Sequence, residues 1–91
     1  SISNIGIIEN TFGQEIVVFP NPTAGNLTIN IGETHSKIFT KILSLNGQLL
    51  NENTFNNTQM LDLNIDLATG YYYIEIRDSE DKKAIIKILK K

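Results

Sequence analysis

His35 is the side chain of this sequence best suited to acid–base chemistry, and it is the only histidine in the chain. A catalytic histidine needs a nucleophile and an orienting acid beside it, and neither is recognisable from the spacing of residues around His35. The chain also contains no cysteine, which excludes disulfides, thiolate metal sites and a cysteine nucleophile. We therefore predict that His35 is a solvated loop residue, and that the protein is not an enzyme and has no cofactor.

Two acidic segments have the oxygen ligands that calcium prefers. Asp62–Asp66 matches the first half of a calcium-loop pattern, but Leu67 replaces the required glycine and Tyr73 replaces the bidentate glutamate. Alternation instead places the polar side chains of Asp62–Asp66 on the solvated face of a strand. Asp78–Asp81 is typical of an acidic hairpin tip, and the sequence leaves open whether it binds calcium. We predict no metal site.

Three consecutive tyrosines could in principle form a platform that stacks on sugars. In a strand, alternation puts Tyr72 on one face and both Tyr71 and Tyr73 on the other. This division favours a role in the core and on the sheet surface. A passive carbohydrate-binding or adhesive β-sandwich module of a secreted protein remains the alternative function.

The basic residues are concentrated in the last ten positions of the chain. The net charge of the whole chain is −2, but residues 82–91 contain five lysines and no acid. The remaining 81 residues have three bases and ten acids, a net charge of −7. An acidic body of this kind argues against nucleic-acid binding.

The elements that would position these side chains are β-strands. The chain has 91 residues, enough for one domain, and its 15 isoleucines against 3 alanines favour strands over helices. Short apolar runs recur about every 8–12 residues, a spacing typical of a sandwich. We predict an all-β, seven-stranded immunoglobulin-like or fibronectin-like antiparallel β-sandwich over residues 16–91, after a linker or N-terminal arm at residues 1–15. The predicted strands are residues 16–19, 27–31, 38–45, 48–54, 60–65, 71–77 and 82–89.

Four sequence motifs resemble the type A C-terminal sorting domain of the Bacteroidetes type IX secretion system. The motifs occur in the order and at the spacing of that family, over about residues 17–91, although one extra residue precedes the third. They are Phe19-Pro20-Asn21-Pro22-Thr23-Ala24-Gly25, Asn46-Gly47-Gln48-Leu49-Leu50, Leu67-Ala68-Thr69-Gly70-Tyr71-Tyr72 and Lys87-Ile88-Leu89-Lys90-Lys91.

The resemblance implies that the domain is a secretion signal at the end of a larger cargo protein. The cargo would cross the periplasm and reach the cell surface or the medium. The type IX outer-membrane translocon and its shuttle protein would recognise the domain, and a sortase-like surface protease would often remove it. We expect the exposed arm between Ile8 and Glu15 to be the region where a protease cuts.

The residues expected to take part in recognition follow from the resemblance and from the charge pattern. We predict that the last strand lies at a sheet edge, where unpaired backbone groups can accept a partner strand. Lys83, Lys87 and Lys91 recur every fourth residue and share one face of that strand. The predicted recognition residues are Pro20, Asn21, Pro22, Gly25, Gly47, Gly70, Tyr72, Lys83, Lys87, Lys90 and Lys91.

Overall fold

A computed structural model of the chain describes residues 7–13 and 15–91. The described residues form six strands, all paired antiparallel. They are β1 (Ile7–Asn10), β2 (Val17–Phe19), β3 (Asn26–Leu43), β4 (Leu49–Asn64), β5 (Gly70–Asp78) and β6 (Lys83–Lys90). The order of hydrogen-bonded neighbours is β1-β6-β5-β3-β2, and β4 also pairs with β3. The predicted all-β sandwich is confirmed, with six strands instead of seven.

The difference in strand number comes from two long strands that each replace two predicted ones. Residues 32–36 and 55–59 were expected to be loops, but they continue β3 and β4. Pairing between the two strands persists across this region, with His35 opposite Thr58 and Lys37 opposite Asn56. The structure also contains one additional strand, β1, which was not predicted from the sequence.

The hairpin of β3 and β4 passes through both layers of the sandwich. The register between the strands is irregular between Asn30 and His35, where Gly32 has a φ of 91°. Before this bend, β3 pairs with β2 and with the second half of β4. After it, β3 pairs with the first half of β4 and with β5, which continues to β6 and β1.

The core lies between these two layers and is filled mainly by isoleucine. Inward positions alternate along each strand, so that in β6 Ala84, Ile86 and Ile88 are buried while the residues between them are not. The alternation changes phase at the bend, because Ile29 and Ile31 point inward before it whereas Ile38 points inward after it. The buried hydrophobic residues are Phe12, Ile16, Leu27, Ile29, Ile31, Ile38, Ile42, Leu61, Leu63, Ile65, Ile74, Ile76, Ala84, Ile86 and Ile88.

Part of the segment interpreted as a linker belongs to the packed fold. Ile7–Asn10 pairs with β6 as β1, and the Phe12 side chain is buried at 3% exposure. The arm interpretation is therefore corrected for residues 7–12, and residues 1–6 lie outside the described part of the chain. The strand was not recognisable because it is short and shifts register between Ile7 and Glu9, which removes any sustained period. Among the described residues there is no helix that could cross a membrane.

The two halves of β4 should respond very differently to the same substitution. Leu61 is fully buried, whereas Leu49 is 47% exposed. We expect Leu61→Ala to lower the free energy of unfolding by about 2–5 kcal/mol through lost burial and a cavity. Leu49→Ala should lower it by less than about 1 kcal/mol. Urea denaturation of both variants measures this, and equal losses would contradict the burial assigned to β4.

Candidate recognition surface

The Pro20–Gly25 loop closes the outer edge of the last strand. Asn21 contributes both polar atoms of its side chain: its Nδ2 donates to the Lys87 carbonyl at 3.3 Å, and its Oδ1 accepts from the Leu89 amide at 3.1 Å. The backbone of Thr23 continues the pairing, since its amide donates to the Leu89 carbonyl at 2.9 Å and its carbonyl accepts from the Lys91 amide at 2.8 Å. Asn21 and Thr23 thus take the place of a partner strand along the end of β6.

The other half of the same edge is covered by β1 and the residue after it. Glu9 and Asn10 lie opposite Ile85 and Ala84 in the ladder. The Thr11 amide donates to the Lys83 carbonyl at 2.8 Å, and the Lys83 amide donates to Thr11 Oγ1 at 2.7 Å. Because β5 pairs with the other side of β6, the prediction that the last strand is a free sheet edge is wrong. No local sequence pattern indicates these partners, because they lie more than 60 residues earlier in the chain.

Thr23 and Gly25 fix the shape of the loop. Thr23 is fully buried, and its hydroxyl donates to the Asn26 carbonyl at 2.5 Å and accepts from the Gly25 amide at 3.0 Å. Gly25 has a φ of 149°, a conformation that residues with a side chain rarely adopt. Its carbonyl accepts from the Ile65 amide at 2.7 Å, and a Cβ there would lie 3.4 Å from Asn64 Oδ1. The loop is therefore bonded to β6 on one side and to the segment after β4 on the other.

The two prolines of the loop are exposed, and Asn21 and Thr23 make the hydrogen bonds from the loop to β6. Pro20 and Pro22 lack amide donors and restrict φ, and both of their preceding peptide bonds are cis. Between them, Asn21 is only half-buried, and its side chain lies against β6. The prolines thus contribute rigid, solvent-facing surface, whereas Asn21 contributes the bonds.

Three further predicted residues lie at the same end of the sheet as the loop. Gly70 begins β5 opposite Lys90, and Tyr72 lies opposite Ile88. Gly47 has a φ of 91° and lies in the turn that follows β3. β3 pairs with the edge of β5 opposite to β6. All four motifs therefore converge on one end of the sandwich, although they are spread over 70 residues of sequence.

Tyr72 has a structural role at this end. Its ring packs against the core cluster, and its hydroxyl donates to the Ala68 carbonyl at 2.7 Å. Tyr71, by contrast, is 51% exposed on the opposite face of β5. The predicted division of the tyrosines between two faces agrees with these positions.

The lysines of the last strand do not form one group. Lys87 Nζ lies 4.8 Å from the centroid of the Tyr71 ring, in a cation–π contact. Lys90 and Lys91 follow at the end bonded to the loop. Lys83 lies at the other end of β6, where its Nζ is 3.6 Å from a carboxylate oxygen of Glu9. Lys83 is therefore separated from the other predicted residues by the length of the strand.

We use the name C-terminal patch for the surface formed by the Pro20–Gly25 loop, Tyr71, Lys87, Lys90 and Lys91. An open cleft of about 510 Å³ adjoins the loop. It is lined by Pro20, Ala24, Gly25, Asn26 and Asn64. The aliphatic part of Lys90 lies 3.9 Å from the point where a Cβ on Gly25 would be, so a side chain entering the cleft would lie near that lysine.

His35 is not the solvated loop residue that the sequence suggested. It lies within β3, and its side chain is only 11% exposed. Its ring contacts Phe12 edge-on at 5.4 Å, its Nδ1 is 3.5 Å from Asp78 Oδ2, and its Nε2 is 3.7 Å from Glu33 Oε2. The loop prediction failed because β3 continues through the bend and brings His35 under the N-terminal segment.

The two acidic segments have structural roles that can be assigned. Asp78 is buried at 6% exposure, and its Oδ1 accepts from the amides of Glu80 and Lys82, both at 2.9 Å. This carboxylate therefore organises the β5–β6 hairpin. Asp62 lies on the outer face of β4, as predicted, and accepts from Thr28 Oγ1 at 3.0 Å. No group of three or more histidine or acidic side chains in the described ranges could hold a metal ion.

Thr23 is the residue of this surface that sequence reasoning missed. A threonine two positions before a glycine in a tight turn can bond its own backbone. That signal was present in the sequence. It indicated a local turn, however, and not the pairing of Thr23 with β6.

The comparisons with known proteins agree with this architecture. Residues 17–91 match the family described as the secretion system C-terminal sorting domain. A crystal structure of a Bacteroides vulgatus protein of the DUF3244 family, with an immunoglobulin-like β-sandwich fold, is similar with a TM-score of 0.75 and 16% sequence identity. The match covers 94% of this chain and 98% of that one, and at this identity it shows the fold alone. No curated protein matches the sequence.

Removing the Asn21 side chain should loosen the end of β6. Asn21→Ala deletes two hydrogen bonds and leaves the Lys87 carbonyl and the Leu89 amide without that partner. We expect a loss of about 1–3 kcal/mol in the free energy of unfolding, measured by urea denaturation. Asn53→Ala, at an exposed strand position, is the matched control and should change it by less than about 0.5 kcal/mol. If both variants behaved alike, Asn21 would have no bridging role.

Proposed function

This chain belongs to the family of type IX secretion system C-terminal sorting domains, and from that premise we propose that the C-terminal patch is the address that the secretion machinery reads. Family membership makes the domain a C-terminal sorting signal that is part of a larger cargo protein. It also implies export to the cell surface or the extracellular space. The proposal concerns which surface acts, and how.

The observation that carries the proposal is the hydrogen bonding between two motifs that lie far apart in the sequence. Asn21 and Thr23 bond directly to Lys87, Leu89 and Lys91. A partner that approaches this end therefore meets both motifs as one preformed surface. Preorganisation of this kind favours binding, because the surface loses little conformational entropy when the partner binds.

Recognition of the patch would use side chains and not addition of a strand to β6. The outer backbone groups of β6 are already bonded to β1, Thr11 and the loop. A partner strand would have to displace these segments before it could pair. The exposed groups of the patch are the proline rings, the Tyr71 ring and the lysine ammonium groups.

The charge of the patch favours an acidic partner. Lys87, Lys90 and Lys91 carry three positive charges, and no acidic residue lies within the Pro20–Gly25 loop or residues 87–91. Clustered charge of one sign accelerates association with an oppositely charged surface, and the effect weakens as salt increases. We propose that the outer-membrane translocon or its shuttle protein presents such an acidic surface to the domain after it has crossed the periplasm.

We propose that the domain has no catalytic role and that it is not a carbohydrate-binding module. Stacking on sugars would require a free aromatic face on β5. Tyr72 packs inward, and the Tyr71 ring already contacts Lys87 Nζ at 4.8 Å. These contacts suit a positively charged docking surface better than a sugar platform.

Removal of the domain by a sortase-like surface protease is also proposed, with a revised position for the cut. From the sequence, we expect the protease to cut between Ile8 and Glu15. The paired backbone of Ile7–Asn10 and the buried side chain of Phe12 argue against cleavage between Ile8 and Phe12 while the domain is folded. A cut before Ile7 would leave the domain intact.

The proposal is tested by exchanging lysines for glutamines in a reporter fused to residues 1–91. The fusion is expressed with a signal peptide in a bacterium that has a type IX secretion system. We expect the triple variant Lys87→Gln, Lys90→Gln, Lys91→Gln to reduce reporter secretion at least about tenfold, because each tenfold loss of affinity corresponds to only about 1.4 kcal/mol. Deleting residues 82–91 would be less informative, since it removes the buried residues of β6.

The control is the triple variant Lys37→Gln, Lys41→Gln, Lys82→Gln, which changes the charge equally away from the patch. It should secrete like the parent fusion, and circular dichroism should show all three proteins folded. Equal secretion by both triple variants would reject the patch as the address. Retention of the parent fusion itself would instead reject residues 1–91 as a sufficient signal.

A further inference from the structure

The strand β4 has one edge that no strand of the described residues covers. It pairs only with β3, and no other strand of the described residues lies on its second side. With sixteen residues it is far longer than the other outer strands, because β1 has four and β2 has three. Its regular stretch, residues 51–56, presents a row of backbone donors and acceptors to any extended chain.

The register of β4 is irregular near Leu50 and near Asn57, but residues 51–56 between these points are regular and lack the other usual protections against edge pairing. β2 is followed at once by Pro20, β1 is short and irregular, and the edge of β6 is closed by the loop. Leu49–Asn64 contains no proline, glycine, lysine or arginine, and its only charges are Glu52 and Asp62. Such an edge resists association poorly.

The alternation of pairing identifies which backbone groups of β4 face outward. The backbone amides and carbonyls of the odd-numbered residues of β3 bond to β5, whose other edge bonds to β6. Those of the even-numbered residues of β3 therefore bond to β4. Ile38, Thr40 and Ile42 lie opposite Phe55, Asn53 and Asn51. The amides and carbonyls of Glu52, Thr54 and Asn56 must therefore point away from β3.

A local hydrogen bond agrees with this assignment. The Glu52 amide donates to the side-chain Oδ1 of Asn51 at 2.8 Å, a local bond that an outward amide can make. Side chains do not obstruct the approach of a second strand, since residues 49–54 are exposed on both faces of the ribbon. The free edge is thus accessible around Thr54.

We propose that this edge pairs antiparallel with the same edge of a second copy, with Thr54 opposite Thr54. In this register Glu52 faces Asn56 of the other copy, so no like charges meet. Asn53 faces Phe55, and the central threonines form a cross-strand pair of a kind that stabilises sheets. Because the dimer has twofold symmetry, each copy contributes the same segment of β4, as in most homodimers.

The polar composition of the edge favours a second copy over a foreign strand. Asn51, Asn53, Asn56 and Asn57 give it amide side chains that both donate and accept, and these are complementary to themselves. A foreign strand gains its specificity from pockets for its alternate side chains, whereas residues 49–54 are exposed on both faces of the ribbon. The inference stands independently of the proposed sorting function.

Single-cysteine variants of the full chain test the register directly, because the natural sequence has no cysteine. Hydrogen-bonded antiparallel partners have Cα atoms about 5.5 Å apart, within the range that a disulfide spans. We expect Thr54→Cys to form a disulfide dimer at least about tenfold faster than Thr34→Cys under mild oxidation, because pairing raises the effective concentration of the two thiols. Thr34 is the matched control, since it is also an exposed threonine in a strand.

Sedimentation provides the second measurement. The unmodified chain should show a concentration-dependent dimer. Thr54→Lys should be monomeric, because the two ammonium groups would lie opposite each other and repel. Thr34→Lys, the control, should behave like the parent. Urea denaturation confirms that the variants are folded. A parent that stays monomeric at its highest soluble concentration would overturn the proposal and leave the edge to a strand of another protein. A dimer that persists in Thr54→Lys, or equal cross-linking at both cysteines, would overturn it as well.

Discussion

The outer backbone groups of β6 need hydrogen-bond partners, and the arrangement of the domain follows from how it supplies them. Half of this edge is satisfied by β1 and Thr11, and the other half by Asn21 and Thr23. Unpaired amides and carbonyls on such a strand would favour association with other chains. Closing the edge therefore joins the terminal strand to the rest of the sandwich and turns two distant motifs into one surface.

The character of each loop residue follows from this constraint. The side-chain amide of Asn21 has both a donor group and an acceptor group, and each of them bonds to a backbone group of β6. Thr23 and Gly25 hold the turn that aims Asn21, while the same turn is bonded to Ile65 behind β4. The lysines then extend from a strand whose backbone is fixed, which suits recognition through side chains.

Local patterns predicted the faces of the fold well and its edges poorly. Alternation correctly placed Leu63 inside and Asp62 outside, and it separated Tyr72 from Tyr71. The edges could not be predicted, since a period of two does not say which strand lies beside another. The side chain of Asn21 bonds to backbone 66 and 68 residues away. His35 is half-buried because it contacts Phe12 and Asp78, which lie 23 and 43 residues away in the sequence.

Native-state hydrogen exchange at the end of β6 tests the closed edge most directly. The amides of Leu89 and Lys91 are bonded to the loop, whereas those of Ile86 and Ile88 face β5. If the loop closes the edge, Leu89 and Lys91 should exchange slowly in the folded domain, as protected amides do. Exchange of both at the rate of an unstructured peptide, while Ile86 and Ile88 remain protected, would show that the edge is open and would contradict the account.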